Sequence, residues 1–179
     1  MLERVKESAA FLHKFMPNQP SIAIILGSGL GGLVNRLEIL KEIPYSEIPN
    51  FPQSTVKGHK GTWIFGKLNG IDIVVLSGRF HYYEGYTMKE VTFPIQVMRE
   101  LGIEKLILSN AAGGMNPTFQ IGDIMVIRDH INLFGNNPLL GPNDDNLGPR
   151  FPVMSEAYFI RMIKIAFVVA DLRHSNLLN

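Results

Sequence analysis

The sequence predicts an α/β fold built around a largely buried sheet. Two observations carry that expectation. Short, continuous, β-branched apolar runs recur along the chain, as in SIAIIL (21–26) and IDIVVLS (71–77). Segments with apolar residues at helical spacing lie between and around them, and such alternation is the signature of helices packed on a sheet whose strands are buried on both faces.

Taken in order, Leu2, Val5, Ala9, Leu12 and Met16 lie at helical spacing, with charges between them, and Pro17 follows. This predicts an amphipathic surface helix. Glu3, Lys6 and Glu7 interrupt the apolar run that a secretory signal would need. SIAIIL reads as a buried strand. TWIFGKL (62–68) and IDIVVLS read as two strands joined at Asn69-Gly70, a strong hairpin signal. Residues 87–101 read as one helix, with Thr87 as N-cap, Glu90 completing a capping box and Gly102 as the stop. Pro94 inside it predicts a kink or a late start. Residues 105–110 and 123–129 read as strands, 135–152 as a long Gly-, Pro- and Asn-rich loop, and 155–172 as a final helix. The expectation is a single domain over residues 1–179.

Composition narrows the function. The formal net charge is +1 over 179 residues, which lacks the positive field that non-specific nucleic-acid or anionic-membrane binding needs. No apolar segment is long enough to span a bilayer. There is no cysteine, which removes disulfides, thiolate metal sites and cysteine nucleophiles and fits a cytoplasmic protein. No HExxH, carboxylate cluster or Ca²⁺ loop is present, so no metal is implied.

Ligands of open α/β sheets bind beyond the carboxyl ends of strands, and three predicted strands end in loops rich in chemistry. Gly27-Ser28-Gly29-Leu30-Gly31-Gly32 follows SIAIIL. Its glycines let backbone N–H groups converge on an anion, and Ser28 adds a hydroxyl. Gly27, Gly29 and Gly32 also satisfy the spacing of a dinucleotide fingerprint, which makes a dinucleotide binder an alternative. No acidic residue is clearly placed at the end of a second strand to support it. The second loop runs from Gly78 to Tyr86. Arg79 and His81, two apart on an extended segment, project to the same side. Arg79 offers a fork of donors suited to phosphate oxygens, and Tyr82, Tyr83 and Tyr86 offer flat surfaces and hydroxyls. The alternative for Arg79 is an ion pair with Glu84. The third loop, Ser109-Asn110-Ala111-Ala112-Gly113-Gly114, has small residues that let a ligand lie against backbone. His59 is a further candidate ligand between glycines. His130 reads as a structural residue bonded to the backbone at a strand end. Together these groups describe an oxyanion or phosphate site.

The segments LGSGLGGL, GHKG, GRFHYYEGY, SNAAGGMN, GDIMVIRDHINL, GPND and RFPVMSEAY occur in an order and spacing that resemble the trimeric purine nucleoside phosphorylases. The resemblance implies a three-layer fold with a central mixed sheet flanked by helices, incomplete at the C-terminus. It implies reversible phosphorolysis of purine nucleosides to free base and ribose 1-phosphate, with phosphate as co-substrate and no cofactor. It implies phosphate binding by Ser28, His59, Arg79, Phe80, His81 and Ala111, with His81 catalytic. Tyr83 and Phe151 would meet the ribose, Phe151 from a neighbouring subunit of a homotrimer, and Asn110 would support its loop. Partners would be inorganic phosphate and a purine nucleoside, in the cytoplasm. The resemblance runs to about Tyr158, and residues 158–179 diverge from the family pattern. The family's base-reading motifs come later, so this chain is expected to keep the phosphate and ribose half-site and to show no turnover by itself. An oligomerising homologue without activity is the alternative.

Overall fold

The computed structural model describes residues 1–53, 60–172 and 177–178. The chain divides into two units, Met1–Ala111 and Ala112–Asn179.

The first unit is organised by a five-stranded mixed sheet. Its strands are β1 (Ile22–Leu26), β2 (Glu38–Pro44), β3 (Thr62–Leu68), β4 (Ile71–Ser77) and β5 (Lys105–Leu108), in the spatial order β2-β3-β4-β1-β5. β1 lies between β4 and β5 and is parallel to both, whereas β2, β3 and β4 are successively antiparallel. Asn69 and Gly70 take φ values of 51° and 80°. Two consecutive positive values are what a two-residue type I′ hairpin requires, and they set the β3–β4 register.

Strand alternation sends side chains to two apolar faces. Ala23, Ile25, Trp63, Phe65, Val74 and Leu76 pack against Val5, Ala9 and Leu12 of α1 (Leu2–His13) and Phe93, Val97 and Met98 of α3 (Phe93–Glu100). The opposite face, with Ile64, Ile73 and Val75, is covered by Val34 and Leu33 of a 3₁₀ segment, Gly31–Arg36. The α/β expectation with a sheet apolar on both faces therefore holds.

Two local expectations need correction. The helix over 87–101 is split into α2 (Met88–Val91) and α3, with Thr92 at φ −92° and ψ −3° between them. Pro94 occupies the first turn of α3, where its missing N–H costs nothing, so of the kink and the late start expected there the late start is what occurs. The Thr87–Glu90 box is present: Thr87 Oγ1 accepts from Glu90 N at 3.3 Å and Glu90 Oε2 accepts from Thr87 N at 2.8 Å. Secondly, β2 was not anticipated. Its sequence EILKEIP is exposed over its first five residues and interrupted by a register shift between Ile39 and Lys41. A charged, bulged edge strand carries no clean period-2 signal.

In the second unit β6 (Ile124–Met125) pairs in parallel with β7 (Leu177–Leu178), and α4 runs over Ile160–Leu172. The expected strand over 123–129 thus shrinks to two residues, and the final helix begins five residues later than expected, at a turn closed by Met162 N on Phe159 O at 2.9 Å. Residues 126–159 contain no helix or strand. Asn and Asp side chains hold this stretch by capping backbone two residues on, as Asn132 does at Phe134 and Asn137 at Leu139, which is the local chemistry that makes these residues turn formers. Arg150 ties it further by donating to the Leu139 and Gly141 carbonyls at 2.9 and 2.6 Å. Among the described residues no helix is long and apolar enough to cross a membrane.

Candidate functional site

Because β1 runs parallel to both neighbours, the carboxyl ends of β4, β1 and β5 lie side by side, with Leu26 opposite Ser77 and Ile25 opposite Leu108. The three loops singled out in the sequence leave from these ends. Between the first two lies a pocket of about 60 Å³ lined by Leu26, Gly27, Ser28, Gly29, Gly31, Ser77 and Gly78, and roughly 10–15 Å³ suffices for one water. It is a small, backbone-rich depression, suited to an ion of a few atoms.

The first loop turns at once. Leu30 N bonds Gly27 O at 3.2 Å and Gly29 takes φ 81°, a left-handed conformation open to glycine at little cost. Gly27 is needed for another reason. A Cβ there would lie 2.4 Å from Ser109 O and 2.8 Å from Asn110 Cα. The close approach lets Gly27 N donate to Ser109 Oγ at 3.0 Å, while Ser109 N donates to Ile25 O at 3.1 Å. The first and third loops are thereby fixed to each other. Ser28, Asn110 and Ala111 are exposed, and Asn110 Nδ2 donates to Ala111 O at 3.3 Å.

This geometry disposes of the dinucleotide fingerprint. The glycines lead into a six-residue 3₁₀ segment rather than an α-helix, and β2 pairs antiparallel with β3 rather than parallel beside β1. Among the described residues, the α-helix that should follow the glycines, and a next strand in sequence parallel to β1, are both absent.

The second loop carries the charged donors. Phe80 is buried, its ring 5.1 Å from that of Tyr45. Alternation then places Arg79 and His81 on the other side of the chain, and Phe80 can offer a ligand only its backbone. Arg79 is half-buried, and its Nε is buried without a hydrogen-bond partner among the described residues. Burial pulls the guanidinium below its ordinary value, and the neighbouring Tyr83 partly offsets this. A buried, unsatisfied donor on a cation calls for an acceptor.

Glu84 does not pair with Arg79. Its carboxylate, 2% exposed, accepts from His81 Nδ1 at 2.6 Å and from His81 N at 2.8 Å. A carboxylate oxygen can only accept, so Nδ1 carries the proton and the ring is fixed by its own loop. Tyr83 stacks on the imidazole with ring centroids 4.7 Å apart and an 18° interplanar angle, yet is 75% exposed. The sequence offered Glu84 as an ion-pair partner of Arg79, and the structure gives it to His81 instead. The signal was the i, i+3 spacing of His81 and Glu84, which one turn of 3₁₀ helix brings together.

His59 lies outside the described residues. Phe151 belongs to the second unit and is 85% exposed. His130 bonds a side chain rather than backbone: its Nδ1 is 2.6 Å from the Tyr158 hydroxyl, and the two rings stack. Among the described residues no group of three or more His, Cys, Asp or Glu could hold a metal ion.

Comparison with known proteins places this geometry. A family model described as the phosphorylase superfamily matches residues 21–171. The chain belongs to the phosphorylase superfamily. The match takes in all five strands of the first sheet and all three loops. The superfamily chain is 55% identical over 167 residues to purine nucleoside phosphorylase 1 of Geobacillus stearothermophilus, an alignment covering 93% of this chain and 61% of that protein. It is also 55% identical over 159 residues to purine nucleoside phosphorylase of Bos taurus, covering 87% of this chain and 55% of the relative. A crystal structure of isoform 2 of purine nucleoside phosphorylase from Schistosoma mansoni, in complex with cytosine and ribose-1-phosphate, superposes with a TM-score of 0.88 at 42% identity. That superposition covers 96% of this chain and 61% of that one. The chain therefore spans about 60% of the length of these relatives.

Proposed function

We propose that residues 1–179 carry the phosphate and ribose half-site of a purine nucleoside phosphorylase. The reaction is the reversible phosphorolysis of purine nucleosides to free base and ribose 1-phosphate. The observation that carries this reading is that three donor-bearing loops leave the adjacent carboxyl ends of β4, β1 and β5, the β4 loop carrying Arg79, whose Nε is buried without a partner among the described residues. The relatives' names support the substrate class.

Phosphate is anionic at neutral pH, so as a nucleophile it needs positioning more than deprotonation. One phosphate oxygen bonds to the anomeric carbon as the bond to the purine nitrogen breaks, its electron pair leaving with the base. The Ser28 hydroxyl, the Ala111 backbone amide and the Arg79 fork hold the phosphate charge while the sugar becomes oxocarbenium-like. His81, with Nδ1 committed to Glu84, meets the phosphate through Nε2 as the catalytic histidine. Tyr83, stacked on His81 and largely exposed, forms one wall for the ribose. On the same reading Phe151 closes the ribose of a neighbouring subunit in a cytoplasmic homotrimer.

Isothermal titration of the purified chain with inorganic phosphate tests the half-site. Saturable binding is expected, weakened about tenfold or more in Arg79→Ala, which removes charge-assisted bonds. Absence of binding by the unsubstituted chain overturns the proposal. Phosphate-dependent release of hypoxanthine from inosine is expected to be undetectable for residues 1–179 alone, and robust turnover would show that they also read the base.

A further inference from the structure

Arg79 and His81 sit on a loop whose two ends are tied to a single stretch of chain. At its start, the buried Tyr45 hydroxyl donates to Gly78 O at 2.8 Å. At its end, the Tyr86 hydroxyl accepts from Gln53 N at 3.0 Å and donates to Gln53 O at 2.5 Å. The segment from Tyr45 to Gln53 is itself clamped to α1. Ser8 Oγ donates to Pro49 O at 2.5 Å, and Asn50 donates to Glu7 Oε2 at 2.8 Å and accepts from Arg4 Nε at 3.2 Å. Between the two tyrosines, Phe80 fills the core, its ring 5.1 Å from Tyr45 and 6.0 Å from Tyr86.

We propose that Tyr86 is a positioning residue for the anion site: its hydroxyl, by closing both bonds on Gln53, holds the downstream end of the Arg79–Glu84 turn in register. The inference rests on the phosphate reading above. Three details support it. The tie is reciprocal, so the hydroxyl satisfies the N–H and C=O of one residue at once, which a one-way donor cannot do. Gly85, immediately before Tyr86, is left-handed at φ 95°, a conformation that glycine is free to leave unless its neighbours are held. And the backbone bonds within the turn carrying the His81–Glu84 pair are Glu84 N on His81 O at 3.0 Å and Gly85 N on Tyr82 O at 3.1 Å among the described residues. A segment this short gains little from its own cooperativity. Its anchors therefore contribute to its geometry, and an arginine fork turned away from its bonding directions forms weaker hydrogen bonds.

Tyr86→Phe keeps the ring and deletes both bonds. The full 179-residue chain would be titrated with inorganic phosphate, with hydrogen exchange and urea unfolding measured alongside. The expected result is a phosphate Kd raised about three- to tenfold, faster exchange at Glu84 and Gly85, and unchanged exchange in β3 and β4. Affinity within twofold of the parent chain overturns the inference. So does a loss of affinity accompanied by faster exchange throughout the sheet, which would mark Tyr86 as a general stabiliser. If the parent chain itself binds no phosphate, the site reading fails and this inference falls with it. If the parent binds and Tyr86→Phe binds equally, only the positioning role is lost.

Discussion

β4 and β5 flank β1 on either side, both parallel to it, and their sequences are comparably apolar. Yet β4 is buried from Ile73 to Ser77, while Ile107 and Leu108 of β5 are 42% and 57% exposed. β4 is covered by the α1–α3 layer on one face and by the 3₁₀ segment on the other. In β5, by contrast, Leu106 alone packs, partly buried, against the main core. Apolar patterning therefore selects a strand, but what covers the strand decides its energetic weight. The same asymmetry extends to the site. The β4 loop is tied at both ends to the Tyr45–Gln53 stretch through two tyrosine hydroxyls, whereas the β5 loop is tied through Ser109, to Gly27 N and to Ile25 O.

The sharpest way to break this comparison is to truncate one leucine on each side. Leu76, 1% exposed and opposite both Trp63 and Ile25, should lose about 2–5 kcal/mol of stability as Leu76→Ala. Leu108→Ala should lose under about 1 kcal/mol, because most of its surface is already in water. Urea unfolding of the two variants measures both, and equal losses would contradict the asymmetry. Next in size comes Gly27→Ala. The new Cβ would meet Ser109 backbone, which cannot swing aside like a side chain. We expect a loss of about 1–3 kcal/mol, as for overpacking a tight site, together with loss of phosphate binding as the first and third loops separate. Phosphate affinity unchanged from the parent would show that the contact between these loops does not shape the site.

The elements that were legible in the sequence are those whose signal is local. The β3–β4 hairpin bounds follow from Asn69-Gly70 and its flanking apolar runs, and the Thr87 cap from its own i, i+3 pair. The three candidate loops followed from strand ends and glycines. What stayed hidden depends on partners distant in sequence. β2 is an exposed edge whose identity comes from pairing with β3. The clamp of Gln53 by Tyr86 spans 33 residues. Glu84 was visible but misassigned, because Arg79 and His81 compete for one carboxylate and sequence does not say that the 3₁₀ turn brings it to the histidine. Phe80 sat among polar neighbours in a functional loop, and only the aromatic cluster around Phe51 shows that its ring belongs to the core.

That competition can be tested on the β4 side. Glu84→Gln retains shape in a side chain that is 2% exposed but removes the charge that holds His81. Phosphate affinity should fall about fivefold, the cost of weakening one charge-assisted bond at a positioning distance from the ligand. The unfolding midpoint should move far less than in Leu76→Ala. A variant that binds phosphate as the parent does would mean that the imidazole is oriented without the Glu84 charge.

The smallest effect lies just beyond the same loop, where Thr87 begins α2. The Glu90 carboxyl is held below its ordinary value of 4.5, first by the Thr87 backbone N–H and then by the Thr87 hydroxyl. A carboxylate whose value is depressed by folding stabilises the native state above its unfolded value, and that contribution disappears as pH falls through the folded value. Glu90→Ala should therefore cost about 0.3–1.5 kcal/mol at pH 7. The difference from the parent chain should narrow as pH drops below 4.5, because a protonated Glu90 no longer accepts as a carboxylate. The cap is mostly in water, so added salt should reduce the gap at pH 7 as well. Urea unfolding of parent and variant across this pH range reads the effect directly. A gap that stayed constant from pH 7 to pH 3 would show that the α2 start depends on backbone geometry rather than on the Glu90 charge.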